Sequence, residues 1–272
     1  MTLYFTDKKR RWPPSKPAQY IAACALLLIG LIVLGAWLFI RFIYTEPTPA
    51  DTTPNPSIID INELPDPSYC LIVVEDHQHE RFALVKSAPK DGVISVTALS
   101  PMMETNDGYL YSLLQKHGPA RTAQTVAKQL DLPALHYMAF SIEDVEILFT
   151  RLGESLQFTV PEEVTYTDEN GATIRLNAES HKLTPTQIAS LLRYTKWENN
   201  DHEYGLAADI TAAVMNQCLR PNKSLKGYFE LLSNTSATDL RIDQFNAYRN
   251  GIEYLATINA GAVAKRDDTL VP

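Results

Sequence analysis

From Ala18 to Ile40 the chain runs through 23 residues without a charge, AQYIAACALLLIGLIVLGAWLFI. At about 1.5 Å rise per residue, a helix of that length crosses a bilayer core of roughly 30 Å. Lys8, Lys9, Arg10, Arg11 and Lys16 precede the run, and only Arg41 follows closely. Basic flanks stay inside, so the asymmetry predicts a cytoplasmic N-terminus and an external remainder. The run exceeds a signal-peptide core of about 7–15 residues and ends in LFIRFIY, with no small-residue cleavage pattern. Cys24 in IAAC opens the run instead of following it, which argues against a lipoprotein box. The expectation is an uncleaved signal anchor: a basic cytoplasmic tail over 1–17 and a transmembrane anchor over 18–44.

Residues 45–57, TEPTPADTTPNPS, are rich in proline and threonine and read as an extended tether. An extracytoplasmic domain is expected over 58–262, with a frayed tail over 263–272. The net charge is −8, and beyond Tyr44 the chain carries 18 basic and 31 acidic residues. An acidic outer domain excludes general nucleic-acid binding. The hydrophobic share, 45%, suits a globular fold, and 21% charged residues argue against disorder. Of three cysteines, Cys24 falls in the anchor. Cys70 and Cys218 read as buried free thiols, although an oxidising compartment would let them pair.

YCLIVV, RFALVK and GVISVTAL are strand-length apolar runs separated by EDHQHE and SAPKDG, which predicts an antiparallel meander. Two helical segments follow, YLYSLLQKHG and ARTAQTVAKQL. LPALHYMAF reads as a strand. The next helix takes Ser141 as N-cap, Glu143 and Asp144 in its first turn and Gly153 as its stop. SLQFTV and ATIRLNA read as strands. LTPTQIASLLRYT starts a helix with Thr184 as N-cap and Pro185 at the first helical position. A long apolar helix, YGLAADITAAVMNQCL, and two more near 225–232 and 243–258 complete the chain. The expected fold class is α/β: a mixed, largely antiparallel sheet covered by helices on both faces, plus one N-terminal transmembrane helix.

The sequence has no Gly-rich phosphate loop, no HExxH and no GxSxG. His77 and His79, beside Glu75, Asp76 and Glu80, read as a solvated turn before a metal site. Tyr194 and Trp197 offer a stacking surface for a substrate, against the plainer reading that aromatic residues at a helix end pack.

HYMAFSIEDVEILFTRLGESLQFTVPEEVTY and LNAESHKLTPTQIASLLRYTKW, followed by Tyr204-Gly205 before a long helix, occur in a fixed order. From about Tyr69 to Leu219 the chain resembles the LytR-CpsA-Psr (LCP) family of bacterial cell-envelope proteins. That resemblance implies a phosphotransferase that moves an anionic glycopolymer from a polyprenyl pyrophosphate to peptidoglycan, with Mg²⁺. Arginines of such a site neutralise the pyrophosphate through bidentate contacts, and carboxylates hold the metal.

This chain departs from the family pattern where that chemistry lives. Where the family has Pro-Arg-Asp-Thr the text is SPMMETNDG, so Met102 or Met103 replaces the arginine and Glu104 stands in for the aspartate as metal ligand. Arg193 matches the first arginine of an Arg-x-Arg pair, and Thr195 replaces the second. Leu206 and Asp209 replace both arginines of Arg-x-x-Arg-Gln. Ser68 stands where the first strand begins with aspartate, with Asp66 two residues earlier. Of these positions only Arg193 keeps an arginine. Losing one charged transition-state contact costs about 3 kcal/mol, on the order of 10²-fold in rate. The expectation is a non-catalytic or strongly altered member that binds a lipid-linked glycopolymer or scaffolds an active relative. Its residual substrate-binding residues are Arg193, Tyr194 and Trp197, Arg193 being also the one catalytic candidate. An active phosphotransferase using Mg²⁺, and an unrelated anchored sensor or wall-contact domain, are the alternatives.

Overall fold

The computed structural model describes residues 63–76, 79–168, 171–220, 223–259 and 262–267, all within a unit spanning 59–272. The anchor run, the tether and His77 lie outside the described residues. Among the described residues no helix is long and apolar enough to cross a membrane.

The expected meander is present. β1 (Ser68–Glu75), β2 (Arg81–Ala88) and β3 (Val93–Leu99) pair antiparallel in sequence order. A tight turn over Pro89–Asp91 joins β2 to β3 and closes on Gly92, whose φ of 71° is the left-handed conformation glycine adopts without a steric penalty. The two-residue strands β4 (Glu104–Thr105) and β5 (Gly108–Tyr109) form a small hairpin that leads into helix α1 (Leu110–Gln129). Gly118 breaks that helix with φ 73° and ψ 176°, ahead of Pro119, so the two segments expected from the sequence meet at a kink.

β6 (His136–Ser141) then pairs parallel with β1, and α2 (Ile142–Leu152) follows it. Ser141 caps α2 and forms a reciprocal box with Asp144, and Gly153 ends the helix at φ 66°. β7 (Leu156–Thr159), β8 (Val164–Thr167), β9 (Thr173–Leu176) and β10 (Ser180–Leu183) make two small ribbons, β7 with β10 and β8 with β9. α3 (Pro185–Arg193) starts with the expected Thr184 cap, which boxes with Gln187. α4 (Asn200–Cys218), α5 (Leu225–Thr235), the short strand β11 (Ala237–Thr238), α6 (Ile242–Ile258) and β12 (Ala264–Arg266) complete the described chain.

The main sheet has six strands in the order β11-β6-β1-β2-β3-β12, with β1–β6 and β3–β12 parallel and the rest antiparallel. The mixed, largely antiparallel sheet is therefore as expected. The tail is not: residues read as frayed from 263 onward include β12, an edge strand on β3. Three residues, Ala-Lys-Arg, carry no alternating pattern, so only the pairing itself defines this strand. β4, β5, β8, β10 and β11, two to four residues each, are likewise too short for the sequence pattern to mark them.

Strand alternation divides the interior. Leu71, Val73, Phe82, Leu84 and Leu99 pack under α1. Val74, Met138 and Phe140 face the other way, against α2 to α6. Helix α2 buries Ile142, Val145, Leu148 and Phe149 on one stripe, each contributing roughly 1.5–3 kcal/mol of apolar burial. Phe229 and Phe245 stack at 4.3 Å between ring centres and lock α5 to α6.

Candidate functional site

The C-terminal ends of β1 and β6 lie together, because Glu75 registers with Ser141. In open α/β sheets this is the usual location of a ligand cleft. β2 begins at the same end: Val74 pairs with Arg81. Arg81 is buried, with 3% exposure. Its Nε donates to the Leu192 carbonyl at 3.0 Å, Nη1 to the Glu203 carbonyl at 2.5 Å and Nη2 to the Tyr194 carbonyl at 2.8 Å. A buried guanidinium needs such partners. Burial lowers the affinity of Arg81 for its proton, and the Glu203 and Asp76 carboxylates oppose that shift. The effect is a clamp: one side chain from β2 holds the end of α3, the next loop and the start of α4.

Arg193, the retained arginine, is half-exposed and lines neither of the two larger cavities. Its Nη2 donates to Glu143 Oε1 at 2.5 Å. The Glu143 carboxyl is held below the usual carboxylate range by its own backbone N–H at the start of α2 and by Arg193, against an opposing effect of burial. Tyr194 and Trp197, the two other residues expected to bind substrate, are joined to each other: the rings meet edge to face at 5.1 Å, and Trp197 Nε1 donates to the Tyr194 carbonyl at 2.9 Å. Trp197 is only 8% exposed, so its ring packs as a core residue. Burial raises the Tyr194 hydroxyl above its ordinary range, and Glu162 and Glu198 add to this. The Glu162 carboxylate pins the loop, accepting from Glu198 N at 2.7 Å and pairing with His202 Nδ1 at 2.8 Å.

The other departures fall into place individually. Leu206 is buried in the core. Asp209 pairs with Arg266 Nη1 at 3.1 Å, so the acid that replaces a family arginine is met by a guanidinium from β12. The same guanidinium lies against Gly205, where an added Cβ would overlap it. Met102 is 53% exposed. Glu104, the proposed metal ligand, is exposed in β4 opposite Tyr109. Among the described residues no cluster of three His, Cys, Asp or Glu side chains is placed to hold a metal. Among the described residues Glu104 therefore lacks the companion side chains that a metal site built from protein ligands alone requires.

Arg121 pairs with Asp107 at 3.5 Å, and Arg151 and Arg175 are exposed outside both cavities. Arg81 and Arg266 are the arginines the fold brings to this region, and neither was singled out in the sequence. The sequence carried little signal for Arg81, since an arginine at a strand start is ordinarily solvated, and only its three carbonyl partners mark it.

Two cavities flank the clamp. The first, about 260 Å³, is apolar and runs along the face of β1 carrying Cys70, Ile72 and Val74. His136, Met138 and Phe140 continue that floor on β6, in register with those three residues. Val145, Leu192 and Val214 belong to its roof. Burial in this cavity pushes the Cys70 thiol up to about 12, with Asp239 contributing further, and Cys70 and Cys218 are not bridged. The second, about 280 Å³, is polar and is lined by His79, Glu80, Arg81, Pro101, Met102, Tyr111, Gln115, Glu203 and Tyr204.

A mixed sheet sandwiched by helices, with an apolar cavity beside a polar cleft at the strand ends, defines an α/β domain with two candidate ligand cavities. The sequence matches the LytR_cpsA_psr family over residues 68–267, and the chain belongs to that family. Membership places it in the biogenesis of cell-wall glycopolymers. No curated protein matches the sequence. Among solved structures, a protein of Eubacterium siraeum described as a transcription regulator superposes with TM-score 0.64 at 17% identity, covering 75% of this chain and 83% of that one. TagV of B. subtilis gives TM-score 0.59 at 13% identity, covering 74% and 84%. TagT, solved bound to LI-WTA, gives TM-score 0.53 at 13% identity, covering 76% and 79%. At these identities the likeness establishes the fold.

Proposed function

We propose that this chain is a membrane-anchored, extracytoplasmic LCP protein that holds a lipid-linked glycopolymer precursor without transferring it. The observation that carries the reading is the apolar cavity along Cys70, Ile72 and Val74. Its volume is near the lower end for small-molecule sites, about 300 Å³ upward, and suits part of a prenyl chain. Arg193 follows Leu192, a cavity wall, and would take a phosphate head group in place of Glu143. TagT in its LI-WTA complex offers a precedent for a ligand of this kind. The uncharged run from Ala18 to Ile40 and the tether over 45–57 would keep the domain at the outer membrane face, where it can also scaffold an active relative.

The non-catalytic part rests on charge. Met102, Thr195, Leu206 and Asp209 offer no guanidinium. Arg81 spends three donors on carbonyls, and Arg266 pairs with Asp209. The competing reading, an altered phosphotransferase, draws on Arg81 and Arg193 being tied to the same end of the sheet.

The test uses the full chain in a detergent without sugar head groups. Titration with decaprenyl phosphate is expected to give saturable binding, and its absence would remove the lipid reading. Incubation with a polyprenyl-pyrophosphate sugar, Mg²⁺ and peptidoglycan is expected to give no transfer. Turnover that disappears in Arg193→Ala would establish the phosphotransferase instead.

A further inference from the structure

The polar pocket is built differently from an anion receptor. Tyr111 and Tyr204 come to it from the starts of α1 and α4. Tyr109 stacks on Tyr111 with ring centres 6.1 Å apart and planes 13° from parallel, which extends one wall into an aromatic shelf. The shelf is anchored by backbone: Tyr111 N donates to the Pro101 carbonyl at 3.0 Å and Leu110 N to the Met103 carbonyl at 3.1 Å. Pro101 and Met102 add an apolar edge. Glu80 is 6% exposed, and its Oε1 accepts from Gln115 Nε2 at 2.8 Å. Glu203 brings a second carboxylate, and three donors of Arg81 point at backbone carbonyls.

Two carboxylates and a committed guanidinium disfavour phosphate, since like charge brought into a partly desolvated site is repelled. Aromatic faces beside carboxylate and amide groups match a different ligand. The C–H face of a pyranose packs on an aromatic ring, and its hydroxyls meet acceptors and donors at the edge. The pocket volume, about 280 Å³, admits one ring with part of a neighbour. We propose that this pocket is a subsite for an uncharged pyranose unit of a glycan, stacked on Tyr111 and Tyr204 and hydrogen-bonded to Glu80, Gln115 and Glu203. The inference deepens the glycopolymer reading, on which it rests for the source of the sugar.

Saturation-transfer NMR on the full chain in a zwitterionic detergent tests it, with the N-acetylglucosamine trimer and inorganic pyrophosphate as probes. Transfer to pyranose ring protons is expected, with Kd on the order of 1 mM. Pyrophosphate at equal concentration should not displace the trisaccharide. Tyr111→Ala should weaken binding by about 10-fold or more, and Tyr111→Phe by no more than about 2-fold. Tyr204→Ala, on a separate element, answers the same question if Tyr111→Ala does not fold. No transfer to the trisaccharide, displacement by pyrophosphate, or wild-type binding in the folded alanine variants would overturn the proposal. Decaprenyl phosphate binding by the same proteins separates the two readings. Lost sugar binding with retained prenyl binding supports the subsite, and sugar binding without prenyl binding overturns only the lipid reading.

Discussion

Arg81 and Leu192 are 111 residues apart in sequence, yet the Arg81 Nε–H points at the Leu192 carbonyl from 3.0 Å. That carbonyl is one of the last in α3, among those a helix leaves without an intrahelical partner. The same guanidinium reaches Tyr194 and Glu203, so three segments depend on one buried cation. Replacing Arg81 by alanine removes these contacts together, and is expected to cost about 3 kcal/mol or more, because hydrogen bonds to charged groups contribute about 1.5–3 kcal/mol each. For a domain of this size that lowers Tm by on the order of 10 °C. Arg81→Lys is expected to recover little, since a point charge cannot span three carbonyls. Thermal unfolding of the three proteins checks the ranking.

Arg193 and Glu143 form a partly exposed pair, which contributes about 1 kcal/mol or less to stability. Arg193→Ala is therefore expected to leave Tm nearly unchanged. If Arg193 receives the lipid phosphate, the same variant weakens decaprenyl phosphate binding by about 10-fold. Glu143→Gln, which removes the competing carboxylate, should tighten it. Equal affinities in all three proteins would take Arg193 out of the binding site.

Val214 and Ile72 face the apolar cavity from its helical roof and its sheet floor. Val214→Phe, alone or with Ile72→Phe, is expected to occupy that space and reduce prenyl binding by at least about 10-fold. Stability should change by no more than about 1–3 kcal/mol, the cost of overpacking where room is short. Titration and denaturant unfolding on the same samples separate a filled cavity from a damaged fold.

Burial pushes the Glu162 carboxyl up, but the Glu198 N–H and the His202 ring outweigh it and hold the group below its ordinary range. A carboxyl with a depressed pKa in the folded state stabilises above its unfolded value, and that contribution is lost as pH falls through the folded value. The Tm advantage of the native protein over Glu162→Gln is thus expected to be full near pH 7. It should shrink below about pH 4.5 and vanish at lower pH. An advantage that grows on acidification would show that Glu162 does not pin the loop as an anion.

The local signals were legible where one residue type does a defined job. Ser141, Thr184, Pro185 and Gly153 mark helix ends through hydrogen-bonding and backbone preferences that need no tertiary partner. The meander was legible because β1, β2 and β3 are long apolar runs with short turns. The parallel pairing of β1 with β6 was not, since nothing in either strand names its neighbour and 60 or so residues of helix and hairpin intervene. The binding site was the least legible part. The positions that carry the family's arginines could be checked one by one, but Arg81 reaches the cleft from a strand start, and Arg266 meets Asp209 from a segment that looked like a tail. Trp197 read as a candidate surface, and only its burial shows that it is a packing residue.

β11 and β12 cover the longer strands β6 and β3 with short edge strands of two and three residues, and both come from the last stretch of the described chain. During synthesis β6 and β3 are consequently made long before their outer neighbours. Until residues 237–238 and 264–266 are in place, β6 and β3 offer open hydrogen-bonding edges, the template on which strands of other chains assemble. A premature stop that spares every cleft residue but removes Ala264–Arg266 would thus yield a sticky protein, and the health of the site depends on a segment that lines neither cavity.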